Sequence, residues 1–419
     1  MVDRDRDRYR EKVKVIKNLG SVYLISIWYD TMKNVVFLSH TDIRYDSRIL
    51  KEMTELSKSD DNYQLFGIGV KMDEGSAMSA QASDLEIYSI NLSARKLTFF
   101  PKFMRHTLTI IEMILKTFFK VMSFKPDIIH CHDTVVLPFG VLLKYFKQSK
   151  LIYDAHELES NRNGLSRTMS KLTFYAEKIC WPFIDLLITV SPSIEQWYQD
   201  NIGPKISEVI LNSPMLYAND SKNTSFNEKY FRERYNIPEK TKIYIYVGIL
   251  GKGRGIEKIL NVFSKADCES HVVFMGYGEL SDSIRKRESK FKNIHYHKAI
   301  QHENIVQVIQ SANIGLCLIE NVSLSDYYCL PNKLFEYCFA GLPVLASNFP
   351  DISTVVKKYG LGICCDLDTD SIDNAIRSLD IKEDIDHIKV NKLYDLSWDA
   401  QKLKLLKSYQ YLYEQKSVL

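Results

Sequence analysis

Four groups of residues in this 419-residue chain have the types and spacings for chemistry on an anionic, hydroxyl-bearing ligand. The first is Ile249-Leu250-Gly251-Lys252-Gly253-Arg254-Gly255, between the apolar run Lys242 to Gly248 and a helical pattern carrying Ile256, Ile259, Leu260 and Phe263. Glycines between a strand and a helix let backbone N–H groups approach phosphate closely. An arginine fork binds two of its oxygens. The second is Pro331-Asn332-Lys333-Leu334-Phe335-Glu336, opening a helix whose Leu334, Phe335, Cys338 and Phe339 share one face before Gly341 and Pro343 stop it. A helix start with a lysine and free N–H groups favours an anion, and Glu336 can accept hydrogen bonds from hydroxyls. Diphosphate and ribose fit this pair of features. The third group, His156-Glu157, leaves the strand Lys150 to Asp154. The fourth, Asp46-x-Arg48, lies between the strand Asn34 to Ser39 and a helix over 48–57. Each has a structural alternative: Asp46 as a helix cap, His156 as a hydrogen-bonded core residue. His130 and His132 share one face of the strand before Asp133, but without a third ligand nearby no metal site is expected.

The elements around these groups set the architecture. Apolar runs at Asn34–Ser39, Tyr63–Val70, Leu85–Asn91, Ile128–His132, Lys150–Asp154 and Asp185–Ser191 read as parallel strands buried on both faces. The chain turns polar from Met215 to Glu239, which marks a crossing. Strands resume at Lys242, His271, Asn293 and Asn313. With 45% hydrophobic residues the chain can bury large cores, and its formal charge of +3 implies no polyelectrolyte partner. The 8 cysteines lack paired metal spacing and read as reduced thiols of a cytosolic protein. No apolar run is long enough to span a membrane.

Residues 94–125 stand apart. Seven cations (Arg95, Lys96, Lys102, Arg105, Lys116, Lys120, Lys125) face a single acid, Glu112, and large apolar residues lie between them. This reads either as a core helix with a solvated basic face or as a segment docking on an anionic membrane; no nucleic-acid fold signal is present.

Pro331 to Tyr337, followed by Ala340-Gly341-Leu342-Pro343-Val344, resembles the donor-binding signature of family 4 of the glycosyltransferases. The resemblance covers most of the chain from about Asn34 onward. It implies the α/β GT-B fold, in which two Rossmann-like parallel-sheet domains face each other across a cleft. The organisation expected is an N-terminal extension (1–33), an acceptor-side domain (34–214), a linker (215–240), a donor domain (241–395) and a C-terminal helix (396–419) packing back on the first domain. The resemblance implies a retaining hexosyltransferase acting from a nucleotide diphosphate sugar, cytoplasmic or peripheral on the inner membrane face. Its acceptor would be a hydroxyl of a lipid-linked or growing glycan. Carried over by position, His156, Arg254 and Lys333 would be catalytic. Gly248, Lys252, Arg254, Gly255, Gly276, Lys298, Tyr328, Asn332, Lys333, Leu334 and Glu336 would hold the donor, and Asp46, Arg48, His132 and Glu157 would face the acceptor.

No metal or cofactor is implied. The family's proposed same-face attack lets the leaving phosphate take the acceptor proton, and Arg254, Lys333 and a helix N-terminus oppose its charge. The family often places two glutamates with seven residues between them; Glu336 matches the second, Tyr328 stands at the first, and Tyr328 or Asp326 would have to replace the missing carboxylate. A sugar-nucleotide epimerase on this fold, a dehydrogenase and a catalytically silent membrane-docked subunit are the rival readings. Gly276 and Gly278 lack the context of a dinucleotide fingerprint.

Overall fold

A computed structural model describes residues 32–71, 85–215, 227–301, 304–381 and 388–417. Nearly all of the expected N-terminal extension, and residues 216–226 of the expected linker, lie outside these. The first half runs β1 (Lys33–Leu38), α1 (Ser47–Ser57), β2 (Tyr63–Val70), β3 (Glu86–Ile90), α2 (Lys102–Met122), β4 (Ile128–His132), α3 (Leu137–Lys147), β5 (Lys150–Ala155), α4 (Arg167–Cys180), β6 (Leu186–Thr189), α5 (Pro192–Asn201) and β7 (Ser207–Val209). The second runs α6 (Tyr230–Tyr235), β8 (Ile243–Ile249), α7 (Ile256–Phe263), β9 (His271–Tyr277), α8 (Ser281–Glu288), β10 (Ile294–Lys298), α9 (Ile305–Ile309), β11 (Ile314–Cys317), α10 (Leu324–Tyr327), α11 (Asn332–Phe339), β12 (Val344–Ser347), α12 (Pro350–Tyr359), β13 (Gly362–Cys365), α13 (Thr369–Asp380) and α14 (Trp398–Ser417).

The strands form two sheets, ordered β3-β2-β1-β4-β5-β6-β7 and β10-β9-β8-β11-β12-β13. Every pairing in both is parallel. Strand order reverses between β1 and β4 in one sheet and between β8 and β11 in the other. Ligands of such sheets bind in the crevice at the carboxyl ends of the strands beside these reversals. All four sequence groups fall at such ends.

Each sheet is covered on both faces. Val36, Leu38, Ile129 and Tyr153 pack with Leu143, Trp181 and Tyr198 on one side of the first sheet. On the other, Val35, Phe37, Ile152 and Ile188 meet Ile49 and Met53 of α1 together with Trp398, Leu405, Tyr409 and Leu412 of α14. The last helix is thus part of the first domain's core.

Helix α1 also anchors the two chain crossings. Arg48, 2% exposed, donates from Nε and Nη2 to the two oxygens of Asp154 at 2.9 and 3.0 Å, and from Nη1 to the Ile210 carbonyl at 3.0 Å. One turn on, Lys51 Nζ donates to Asn212 Oδ1 at 2.8 Å and to the Ser213 carbonyl at 2.6 Å, and lies 4.6 Å from the Trp398 ring centre. The Ser213 hydroxyl in turn donates to the Leu396 carbonyl. The outgoing and returning segments meet on one helix face.

Helix α2 does not pack as a core helix. Among its residues only Thr117 and Val121 are buried, while Phe103, Ile110, Ile111, Leu115 and Phe119 are exposed. No helix among the described residues is long and apolar enough to cross a membrane.

Breaking a buried, hydrogen-bonded ion pair from one side leaves an uncompensated charge and costs about 3–5 kcal/mol. Arg48→Met should therefore lower the unfolding free energy by about that much, read as a shifted denaturant midpoint at unchanged slope. A loss below about 1 kcal/mol would show that the pair does not anchor α1.

Candidate active site

The first domain contributes a histidine with charged neighbours on two sides. Strand β4 ends in His132, followed by Asp133, and β5 delivers Asp154 and then His156. His156 Nε2 is 3.0 Å from His132 Nδ1 and 3.5 Å from Asp154 Oδ2; its Nδ1 is 3.7 Å from Asp133 Oδ1. His40 Nδ1 lies 3.5 Å from the other Asp133 oxygen. Burial alone would discharge His156, but the Asp133 and Asp154 carboxylates outweigh it and raise its pKa to about 10. Burial instead pushes His132 well below the ordinary histidine range and lowers His130. Near neutral pH, His156 is thus the charged member of the three. Its Nε2–H donates to neutral His132, and its Nδ1–H faces Asp133 at the cleft.

Beneath it, Glu52, His130, His132 and Asp154 bring one potential ligand atom each within 4.8 Å of one another. The sequence did not reveal this set, because its carboxylates come from α1 and β5. Among the described residues this is the cluster that could hold a metal ion. A cation is already present: the Arg48 guanidinium that grips Asp154 also sits 3.2 Å from Glu52. Burial holds the Glu52 carboxyl up at about 8, against the pull of Arg48.

The second domain contributes the glycine loop. Gly255 takes a left-handed φ of 70° to start α7, and a Cβ there would lie 2.5 Å from the Leu318 carbonyl. A Cβ on Gly276 would collide with the Gly248 carbonyl, so Gly276 lets β8 and β9 lie close at their ends. The Gly255 N–H is engaged by Glu320 Oε1 at 3.2 Å. Arg254, about one-third exposed, lies 3.8 Å from Asp326. Lys333, in the first turn of α11, is buried; its Nζ makes no hydrogen bond and sits 3.9 Å from the centre of the Tyr246 ring. Both cations act on the Cys317 thiol at the end of β11, which burial pushes up to about 12, so they converge at that strand end. Glu336 is buried on the next turn; burial raises its carboxyl to about 7 although Lys333 and Lys51 pull it down.

The two halves touch at their strand ends. Leu158 N–H donates to Ser325 Oγ at 3.1 Å, Ser191 Oγ to the Tyr328 carbonyl at 2.6 Å, and Ser193 to Asp351 through both its N–H and its hydroxyl at 3.0 Å. His156 and the exposed Glu157 are thereby brought opposite the glycine loop, and Arg254 pulls on the Glu157 carboxyl across the gap.

Several residues expected at the site are placed elsewhere. Arg48 is in the interior and cannot face an acceptor. His132 is fully buried and reaches the cleft only through His156. Asp46 caps α1, accepting from the N–H groups of Arg48 and Ile49 at 3.0 and 3.1 Å. Tyr328 packs against the first domain's core, so its ring serves domain closure. Lys252 and Lys298 lie exposed beside the loop and at the end of β10, Asn332 is exposed at the start of α11, and Leu334 is core. Sequence reasoning missed His40, Asp133 and Glu320; Asp326, weighed with Tyr328 as the stand-in for the missing glutamate, does lie beside Arg254. Asp133 was within reach, since it directly follows a strand at the sheet's reversal.

Two facing Rossmann-like sheets, a returning C-terminal helix and a cation-rich cleft define a GT-B glycosyltransferase. Two family models match, "Glycosyltransferase Family 4" over residues 77–213 and "Glycosyl transferases group 1" over residues 227–387, one on each domain. Both domains of the chain thus belong to this glycosyltransferase group. An uncharacterised glycosyltransferase of Methanocaldococcus jannaschii is 26% identical over 253 residues, covering 57% of this chain and 62% of that relative. The chain thus spans under two thirds of that relative. A chitobiosyldiphosphodolichol beta-mannosyltransferase of Kluyveromyces lactis is 21% identical over 81% of each chain. Among solved structures, sucrose-phosphate synthase of Thermosynechococcus elongatus superposes with a TM-score of 0.71 at 16% identity, covering 92% of this chain and all of that one. The Anabaena HepE protein in complex with UDP and glucose gives 0.68 at 11% identity, covering 90% of this chain and all of its own. At these identities the superpositions establish the fold.

An ionised carboxylate accepts hydrogen bonds at both oxygens, a protonated one less well. With Glu336 near 7, nucleoside affinity should rise as pH goes from 6 to 8. Glu336→Gln should remove that slope and weaken binding about 10-fold or more, the worth of a hydrogen bond to a charged group. Calorimetry with uridine and guanosine, which lack titrating phosphates, checks both; an unchanged affinity in the variant removes Glu336 from the site.

Proposed function

We propose that the protein is a retaining glycosyltransferase moving a sugar from a nucleotide diphosphate sugar to a hydroxyl of a lipid-linked or growing glycan, on the cytoplasmic face of a membrane. The observation that carries this reading is the Lys333 ammonium, buried with no hydrogen bond, at the strand end where Arg254 converges. A buried ammonium that makes no hydrogen bond is costly, and a donor diphosphate would supply acceptors beyond its contact with the Tyr246 ring. Glu336 a turn later suits ribose hydroxyls. The Anabaena neighbour is described with UDP and glucose, and the Kluyveromyces relative is named for a lipid-diphosphate acceptor.

In this reading Arg254, Lys333 and the start of α11 oppose the charge that grows on the leaving phosphate, so no metal ion is needed. His156, held cationic, donates to the sugar side and does not act as a base. The acceptor attacks from the face the phosphate leaves, and the phosphate takes its proton. The free thiols at all eight cysteines support a reducing compartment. The exposed apolar face of α2, flanked by Lys102, Arg105, Lys116 and Lys120, supports docking on anionic lipid.

Arg254→Ala and Lys333→Ala should each lower nucleotide affinity and kcat together, because the phosphate charge exists in the ground state and grows in the transition state. His156→Ala should lower kcat while leaving UDP or GDP affinity intact, since neither carries the sugar. EDTA should leave turnover unchanged. The anomeric proton of the product, read by NMR, decides retention, and a product of opposite configuration to the donor overturns it. An epimerase would instead release free nucleotide without an acceptor, and a silent subunit would turn over nothing.

Membrane docking predicts that the protein floats with phosphatidylglycerol vesicles and not with phosphatidylcholine alone. Phe103→Ser combined with Phe119→Ser should abolish flotation; equal partition of the wild type into both lipids, or into neither, contradicts docking.

A further inference from the structure

Between α2 and α3, at the carboxyl ends of β1 and β4, lies a groove of about 270 Å³ that the donor site does not use. Its walls are Leu38, Ile68, Met113, Ile114, Val135 and Phe139. Its polar members are Ser39, whose hydroxyl pairs with Thr41 at 2.8 Å, and Thr117. The two ends open on different surroundings. At the inner end, Ser39 is followed by His40, and Val135 comes two residues after Asp133, the pair joined at 3.5 Å beside His156. At the outer end Ile110, a groove residue 54% exposed, continues into the apolar face of α2.

We infer that this groove binds the hydrocarbon chain of the acceptor, with the chain's polar head delivered to the His40–Asp133 edge of the cleft; the inference rests on the lipid-linked acceptor reading above. The lining decides the chemistry. A sugar placed there would leave its hydroxyls without partners, an expensive burial, and water gains too few polar contacts in such a space. Charge decides the direction of entry. Lys102, exposed, and Arg105, half-buried, share α2 with Ile110, and Lys116 is paired with Glu112 at 2.7 Å; an anionic bilayer meeting this basic helix would present such a chain there. A lipid could thus thread from the bilayer to the reaction centre without exposing its tail to water.

The test uses the full chain and three probes of one head group, isopentenyl, geranyl and geranylgeranyl phosphate, below their aggregation limits. Calorimetry should show at least a 10-fold tighter binding from isopentenyl to geranyl phosphate and a smaller gain beyond, as the groove fills. Met113→Trp and Val135→Trp narrow it from different elements. Each should weaken geranyl phosphate at least 10-fold while leaving UDP affinity and vesicle flotation unchanged. The outer-face variant Phe103→Ser with Phe119→Ser should show the reverse, lost flotation with geranyl phosphate bound as before. Absence of chain-length dependence, or wild-type binding by both tryptophan variants, overturns the groove. So does a loss of flotation that runs parallel with lost binding in those variants. Groove-dependent binding in a protein that ignores vesicles would uphold the groove and overturn membrane docking alone.

Discussion

The structure depends on one buried interaction, the two-pronged contact of Arg48 with Asp154. It joins α1 to β5, and through the Ile210 carbonyl it holds the chain where it leaves the first sheet. A charged pair out of water is a poor source of stability on its own, since desolvation offsets most of the attraction. Its value here is positional. With Arg48 fixed, Lys51 on the next turn reaches both crossings between the domains. Asp154 is fixed as an anion directly under His156. The same carboxylate therefore sets the geometry of the domain junction and the charge of the residue facing the cleft.

The second domain answers with an opposite arrangement. There the sheet end carries positive charge that the protein leaves incompletely neutralised: Arg254 has only a loose contact with Asp326, and Lys333 is held against an aromatic ring. Placed across the cleft from the His156 cation, these groups make an enclosure rich in positive charge. Glu336 lies within electrostatic reach of Lys51 of the first domain, so the hinge and the donor site share one charge neighbourhood.

The fold was legible because parallel strands buried on both faces are written as short apolar runs, and β1, β2, β4, β5, β8, β9 and β11 all read that way. Glycines 255 and 276 were legible as glycines of strand-to-helix turns, and the structure adds a steric reason, since a side chain at either would meet backbone. Arg48 misled because its position after Asp46 in a loop-to-helix step gives no sign of which way a helical side chain turns. The sequence of 94–125 gave both apolar and basic character but not their faces; α2 leaves its apolar side uncovered, which periodicity alone cannot tell from a buried one. Tyr328 could be counted into place but not oriented. The Glu52–His130–His132–Asp154 cluster was invisible because it assembles from three elements far apart in sequence, as did the pairing of His40 with Asp133.

The most direct test of this account is the charge state of His156. Histidine ring resonances from selectively labelled protein, assigned with His156→Gln, can be followed from pH 5 to 10.5. Two flanking carboxylates outweighing burial should keep His156 protonated through neutral pH, far above the ordinary value of about 6.5, with its transition near 10. Asp154→Asn should bring that transition down sharply. A wild-type midpoint at or below about 6.5 would contradict the account, because His156 would then be a neutral core histidine and the Arg48–Asp154 pair would have no hold on the chemistry of the cleft.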